Sequence, residues 1–284
     1  MDKNERLRLQ VLAQKGRMLA VEAIGTAHSG HPGGSLSCMD VLTYLYNKEM
    51  QIDPRDPKNP DRDRFVLSKG HAAPALYSVL ALRGYFDPAL LKTLRQPDSI
   101  LQGHPDMKAI PGVDMSTGSL GQGVSAACGM ALAARLQGRN YRVYTLLGDG
   151  EIEEGQVWEA MMFAAHHKLT NLCVMVDYNG LQIDGPITEV MSSLPIDEKL
   201  KAFNLNVLEI DGNDMEAIEE ALRAARACTD RPTAIVLHTV KGKGVSYMEN
   251  VCSWHGNPPN AEQMEEALKE LRATCEEWEA QIDG

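Results

Sequence analysis

Short apolar runs, rich in β-branched residues, recur at 65–67, 141–147, 172–177, 206–210 and 233–239, and segments of helical period separate most of them. Helical patterns cover 72–83, 124–137, 154–168 and 214–228. Such alternation leaves few architectures open. Parallel strands need a long crossover between them, most simply a helix, and the helices then cover both faces of the sheet. The chain is therefore expected to be an α/β protein, a parallel sheet flanked by helices on both faces. Three more helices are expected. Residues 5–27 place Leu7, Leu9, Leu12, Met18, Val21 and Ile24 among charges, 38–48 read as a second, and 260–281 form a last one that is acidic on one face. Ser29-Gly30-His31-Pro32-Gly33-Gly34-Ser35 reads as a turn, and a long loop follows residue 83. With no repeat, low-complexity stretch or interdomain linker, residues 1–284 read as a single domain.

Composition narrows the class. A chain of 284 residues can bury about three quarters of the surface that it exposes when unfolded, so a large core is available. The net charge is −11, and Lys241-Gly242-Lys243 is too short a basic run for a nucleic-acid surface. The six cysteines, at 38, 128, 173, 228, 252 and 275, contain no CxxC pair. That pattern suits reduced thiols in a cytoplasmic protein rather than a disulfide framework. Met1 to Arg8 is charged and lacks the apolar core of a signal peptide. No apolar run approaches the ~20 residues of a membrane span.

In open parallel sheets, ligands bind at the carboxyl ends of the strands. Polar motifs collect at such ends here. His71 follows the run at 65–67, Asp149 follows 141–147, Asn179 follows 172–177 and Lys241 follows 233–239. Asp149, within Gly148-Asp149-Gly150, and Asn179 lie 30 positions apart. A carboxylate and an amide oxygen on neighbouring strand ends can hold one hard divalent cation, and the carbonyl of Leu181 can add a third oxygen. Magnesium takes few protein oxygens and shares phosphates, so a magnesium-diphosphate site is the functional reading. The alternative is a solvent-exposed Asp-Gly turn. Gly118-Ser119-Leu120-Gly121-Gln122-Gly123 precedes a helix but is neither GxGxxG nor a P-loop. Among the histidines, His31, His71, His104 and His255 lie in loops near glycines. His28, His166 and His167 stand at helix ends, where histidine caps or complements the dipole, and His238 is expected to be packed in a strand. His28 and His31 form HxxH without a further ligand cluster.

At these residues the chain resembles the N-terminal part of transketolase. Ser29-Gly30-His31-Pro32-Gly33, Ser68-Lys69-Gly70-His71, Gly103-His104-Pro105, Thr117 through Gly123, Gly148-Asp149-Gly150 with Glu154-Gly155, Asp177-Tyr178-Asn179, Lys241-Gly242 and Trp254-His255-Gly256 occur in the family's order, within about 20–256. Serine in the middle of Gly118-Ser119-Leu120 resembles the animal-type variant. The resemblance implies the thiamine-diphosphate-binding fold. It implies that Asp149, Asn179 and the Leu181 carbonyl hold Mg2+, or another divalent cation such as Ca2+ or Mn2+. It also implies that His71, Gly118, Ser119, Leu120, Gly150, Asn179, Lys241 and His255 contact thiamine diphosphate. His31, His104 and His255 would serve the sugar's reacting oxygens, and Glu154 and Glu159 would lie at a dimer interface, their alternative being a solvated first turn.

The implied reaction moves a two-carbon ketol unit from a ketose phosphate to an aldose phosphate. A full transketolase continues into a pyrimidine-binding domain, which carries the glutamate that protonates the cofactor's aminopyrimidine, and a C-terminal domain. The chain is therefore expected to be one half of a split enzyme, active with a C-terminal transketolase subunit in a dimer of heterodimers. Other readings stay open at this point. They are a half-subunit of a 2-oxoacid decarboxylase or dehydrogenase, a transketolase specialised for a branched or sulfonated sugar, and a non-catalytic cofactor-binding module.

Overall fold

The computed structural model describes residues 1–282. The chain begins with α1 (Lys3–Ala27), α2 (Pro32–Ser37) and α3 (Met39–Tyr44), which runs into a π turn at Leu45–Glu49. Then follow β1 (Arg64–Leu67), α4 (Ala73–Arg83), α5 (Gln122–Leu136), β2 (Val143–Gly148), α6 (Gly155–His166) and β3 (Leu172–Tyr178). The rest comprises α7 (Ile187–Val190), α8 (Ile196–Ala202), β4 (Asn206–Asp211), α9 (Met215–Ala227), β5 (Thr233–His238) and α10 (Ala261–Ile282).

The expected parallel sheet is present, five strands in the order β1-β2-β3-β5-β4, every pair parallel. Strands covered on both faces should be apolar throughout rather than alternating. Val143 to Leu147 and Leu172 to Val176 are buried without a break. One face carries Phe65, Leu67, Tyr144, Leu146, Met175, Ile235 and Leu237 against α1, α3, α4 and α9. The other carries Val66, Val143, Leu147, Val174, Val176 and Val236 against α5, α6 and α8. A third cluster joins Val21 and Leu36 to Ala267 and Leu271 of α10. Each fully buried aliphatic side chain of this kind contributes about 1.5–3 kcal/mol. The β4 edge strand is only partly covered.

Three local expectations are corrected. Residues 29–35, read as a turn, instead feed a helix that begins at Pro32. Proline suits the first helical position because it has no N–H to lose there, and Ser35 Oγ closes the turn on the His31 carbonyl at 2.7 Å. The glycines are a packing requirement: a Cβ on Gly33 would lie 2.9 Å from the Trp254 carbonyl oxygen. The short helices α7 and α8 lie in a stretch where no element is expected. His238, expected to be packed, is exposed, because β5 ends there and its imidazole reaches sideways to Glu209 of β4 at 3.0 Å.

Candidate active site

Because β1, β2, β3 and β5 are neighbours, the segments that leave their carboxyl ends are forced together. The ladder sets Gly148 beside Asp177 and Asp177 beside Leu237. Between these ends lies a cleft of about 410 Å³, whose walls include His31, Lys69, His71, Gly118, Leu120, Asp149, Gly150, Asn179, Leu181, Lys241 and His255. Most of the residues singled out in the sequence thus share one wall. Ser119 lies exposed at the rim, its carbonyl accepting the Gln122 N–H at 3.3 Å. His104 stands outside the cleft wall and packs on Gly118, where φ is +147° and a Cβ would come 2.9 Å from its ring.

At one end, Asp149 is buried, and its two oxygens accept the N–H of Gly150 at 2.9 Å and of Gly180 at 2.6 Å. Burial, with the Asp177 charge beside it, pushes its carboxyl up to about 6. A carboxylate so poorly solvated gains from a nearby cation. Asn179 Nδ2 donates to Asp177 at 3.1 Å, which leaves Oδ1 as the acceptor, taking the Leu181 N–H at 3.2 Å. The Leu181 carbonyl accepts Lys241 Nζ at 2.7 Å and keeps a second lone pair. Lys241 is buried, and burial lowers its ammonium to about 8 while Asp149 pulls the other way. Among the described residues no three His, Cys, Asp or Glu side chains converge as a metal cage. A cation at Asp149 and Asn179 would have to complete its shell with oxygens from a ligand, and a diphosphate next to Lys241 would supply them. The donor set fits a hard divalent cation bound jointly with a diphosphate.

At the other end, three imidazoles meet. Ring centroids lie 5.2 Å apart for His31 and His71, 5.3 Å for His71 and His255, and 5.6 Å for His31 and His255. His255 Nδ1 is 2.9 Å from Lys241 Nζ, so a protonated Lys241 makes Nδ1 the acceptor and places the imidazole proton on Nε2. Among the described residues, His31 Nδ1 is buried and has no hydrogen-bond partner. Burial, then neighbouring cationic groups, lowers His31 to about 4 and His255 to about 3, and lowers His71 well below the usual range. Burial and then Arg95 lower His104. The cluster is therefore neutral at physiological pH. As pH falls, the unfolded chain takes up these protons near 6.5 while the folded chain refuses them until about 4, so stability is lost across that window. In a proton–carbon NMR titration, the His31 and His255 ring signals are expected to titrate below pH 5. Midpoints between 6 and 7 for both would show that these rings are not held as described.

Two buried groups around the cleft carry no assigned role in the sequence. Glu151 is buried and accepts Ser68 Oγ at 2.5 Å, the Gly121 N–H at 2.9 Å and the Gly148 N–H at 3.1 Å. It thereby ties β1, β2 and the start of α5 together, and burial raises its carboxyl while these three hydrogen bonds pull the other way. The second is the ion pair of Lys69 with Asp177, 2.5 Å apart and sealed from solvent. Burial alone would lower the Lys69 ammonium, but the Asp177 carboxylate more than reverses it. Both residues lie inside motifs visible in the sequence, yet β2 separates their strands, so no spacing announces the contact. Glu154 and Glu159 are exposed, the first at the cleft mouth and the second on the outer face of α6.

Residues 9–278 match the family model described as "Transketolase, thiamine diphosphate binding domain". The chain is 46% identical to the 6-deoxy-6-sulfo-D-fructose transketolase subunit SqwG of Clostridium sp. (strain MSTE9), covering 94% of this chain and 97% of that one. It is 43% identical to an apulose-4-phosphate transketolase subunit of Phocaeicola vulgatus, covering 97% and 98%. A solved transketolase from Pichia stipitis superposes with a TM-score of 0.88 at 33% identity, over 97% of this chain and 44% of the other. The chain thus spans less than half the length of that solved transketolase and nearly all of the two subunits. With the strand order, the cleft and the motif order in agreement, the chain belongs to the transketolase family and corresponds to its N-terminal, thiamine-diphosphate-binding section.

Proposed function

We propose that this chain is the N-terminal subunit of a split transketolase that transfers a two-carbon ketol unit between sugars with thiamine diphosphate and a divalent cation, Mg2+ in the first instance. The observation that carries this reading is the position of the three neutral imidazoles beside the Asp149–Asn179 pair in one cleft. Bound there, thiamine diphosphate supplies a nucleophilic carbon and an electron sink for breaking the ketose carbon–carbon bond. Asp149, Asn179 and the free lone pair of the Leu181 carbonyl would hold the cation. Lys241 and His71 would hold the diphosphate, and Gly118, Ser119, Leu120 and Gly150 would let the cofactor approach the backbone. His255, with its proton on Nε2, donates to a sugar oxygen where negative charge develops. His31 would hold and return protons at a neighbouring hydroxyl, and His104, which packs on Gly118 outside the cleft wall, would do so at the cleft's edge.

The partner supplies what these residues cannot, the pyrimidine pocket and its glutamate. Two surfaces support docking of another chain. Leu120, Ile183 and Met191 are exposed large apolar side chains, the first two lining the cleft itself. On the outer face of α5 and α6, Ser125, Gly129, Glu159 and Phe163 line a depression of about 250 Å³. Exposed apolar area of this sort marks interaction sites. A dimer of heterodimers would bury both surfaces. The free cysteines, four of them buried, support a cytoplasmic location.

The expected result of reconstitution is ketol transfer by this chain plus its partner, with no turnover by this chain alone. Donors to include are ketose phosphates together with 6-deoxy-6-sulfo-D-fructose and apulose 4-phosphate, the sugars named for the two subunits of 46% and 43% identity. Turnover by the isolated chain would refute the split. A pair that decarboxylates 2-oxoacids and transfers no ketol unit would refute the transketolase reading.

A further inference from the structure

We infer that Asp177 is a positioning residue that sets the cation end and the histidine end of the cleft in one fixed relation, an inference that rests on the functional reading above. Asp177 is the penultimate residue of β3 and is fully buried, at 0% exposure. Its carboxylate accepts Lys69 Nζ at 2.5 Å, Ser37 Oγ at 2.7 Å, Thr239 Oγ1 at 2.5 Å and Asn179 Nδ2 at 3.1 Å. Each donor belongs to a different segment of the site. Lys69 precedes His71 by two residues, and Thr239 precedes Lys241 by two. Ser37 ends α2, the helix that His31 immediately precedes, and Lys69 Nζ reaches the same helix at the Gly34 carbonyl, 2.8 Å away. Asn179 is the amide ligand candidate itself.

The chemistry of the hub matters as much as its position. An ionised carboxylate only accepts hydrogen bonds, so every group that touches it must turn a donor inward. Asn179 is thereby compelled to present Nδ2 to Asp177 and to keep Oδ1 for the cation. A neutral amide at position 177 would accept and donate alike, and Asn179 could then turn its oxygen inward without loss. Lys69 supplies the opposite charge that lets an ionised carboxylate persist in a buried place. Outer groups that orient metal ligands in this way typically govern 10–100-fold of metal affinity.

The test uses the full chain, alone and with its co-purifying partner, and reads Mn2+ binding by electron paramagnetic resonance in the presence of thiamine diphosphate. Asp177→Asn is expected to weaken Mn2+ by about 10–100-fold. Asp177→Asn combined with Lys69→Met, which removes the stranded charge, is expected to regain thermal stability without regaining Mn2+ affinity. Leu200→Ala, in the buried core and not part of the cleft wall, serves as the control: it lowers thermal stability and leaves Mn2+ affinity unchanged. Wild-type Mn2+ affinity in either Asp177 variant overturns the positioning role. Should neither fold, Thr239→Val removes one donor and keeps the shape. A weakening of about threefold is then expected, and no change overturns the proposal. A wild-type chain that holds no Mn2+ under any of these conditions overturns the functional reading first, and this inference with it.

Discussion

Asp149→Ala is expected to abolish cation-dependent retention of thiamine diphosphate, with Mg2+ affinity falling by at least about 100-fold. The lower bound follows from magnitude: groups that merely orient metal ligands are worth 10–100-fold, and a ligand is worth no less than its supports. Asp149 accepts the N–H of Gly180, next to Asn179, and among the described residues no ammonium is bonded to it, whereas the Asp177 carboxylate is taken by Lys69. Its loss also removes the acceptor for the Gly180 N–H and so loosens the loop that carries Asn179 and Leu181. Isothermal titration of Mg2+ into chain plus cofactor measures the effect directly. An affinity within tenfold of wild type would place the cation elsewhere.

His255→Ala is expected to lower kcat for ketol transfer by about 10²–10³-fold, the usual consequence of deleting one preorganised donor to developing negative charge. The loss should appear mainly in kcat, because cation and diphosphate are held by other groups. The geometry sharpens the expectation. Lys241 pins Nδ1 of His255, so the ring cannot change tautomer without breaking a 2.9 Å hydrogen bond, and Nε2 stays the donor. A 2-oxoacid enzyme built on the same cation motif would not need this cluster. Steady-state kinetics with a ketose donor decide between them, and a decrease of less than about fivefold would remove His255 from the chemistry.

Much of the fold was legible because apolar runs and helical periods report burial directly. The strands at 141–147, 172–177 and 233–239 were found within two residues of their ends, since side chains covered on both faces leave no polar interruption. Helix α2 was missed because its glycines and Pro32 read as turn residues when considered locally. Gly33 is required there by tertiary packing, because a Cβ would meet the Trp254 carbonyl and the Lys241 side chain, more than 200 residues away in sequence. His238 was misplaced for a related reason. It follows an unbroken buried run, but it is the last residue of its strand, beside the partly covered edge strand β4.

The site divides in the same way. Sequence alone singled out the candidate residues: the Asp149–Asn179 pair, the loop histidines and Lys241 sit in short glycine-bounded motifs, and such motifs survive as local patterns whatever their surroundings. Only tertiary structure decided how these pieces act together. The strand order β1-β2-β3-β5 put four motifs at one edge, packed three imidazoles with centroids no more than 5.6 Å apart, and sealed Lys69 against Asp177. Contacts across a sheet depend on which strands are neighbours, and burial changes what each group does with its proton. Neither is a property of any segment considered by itself.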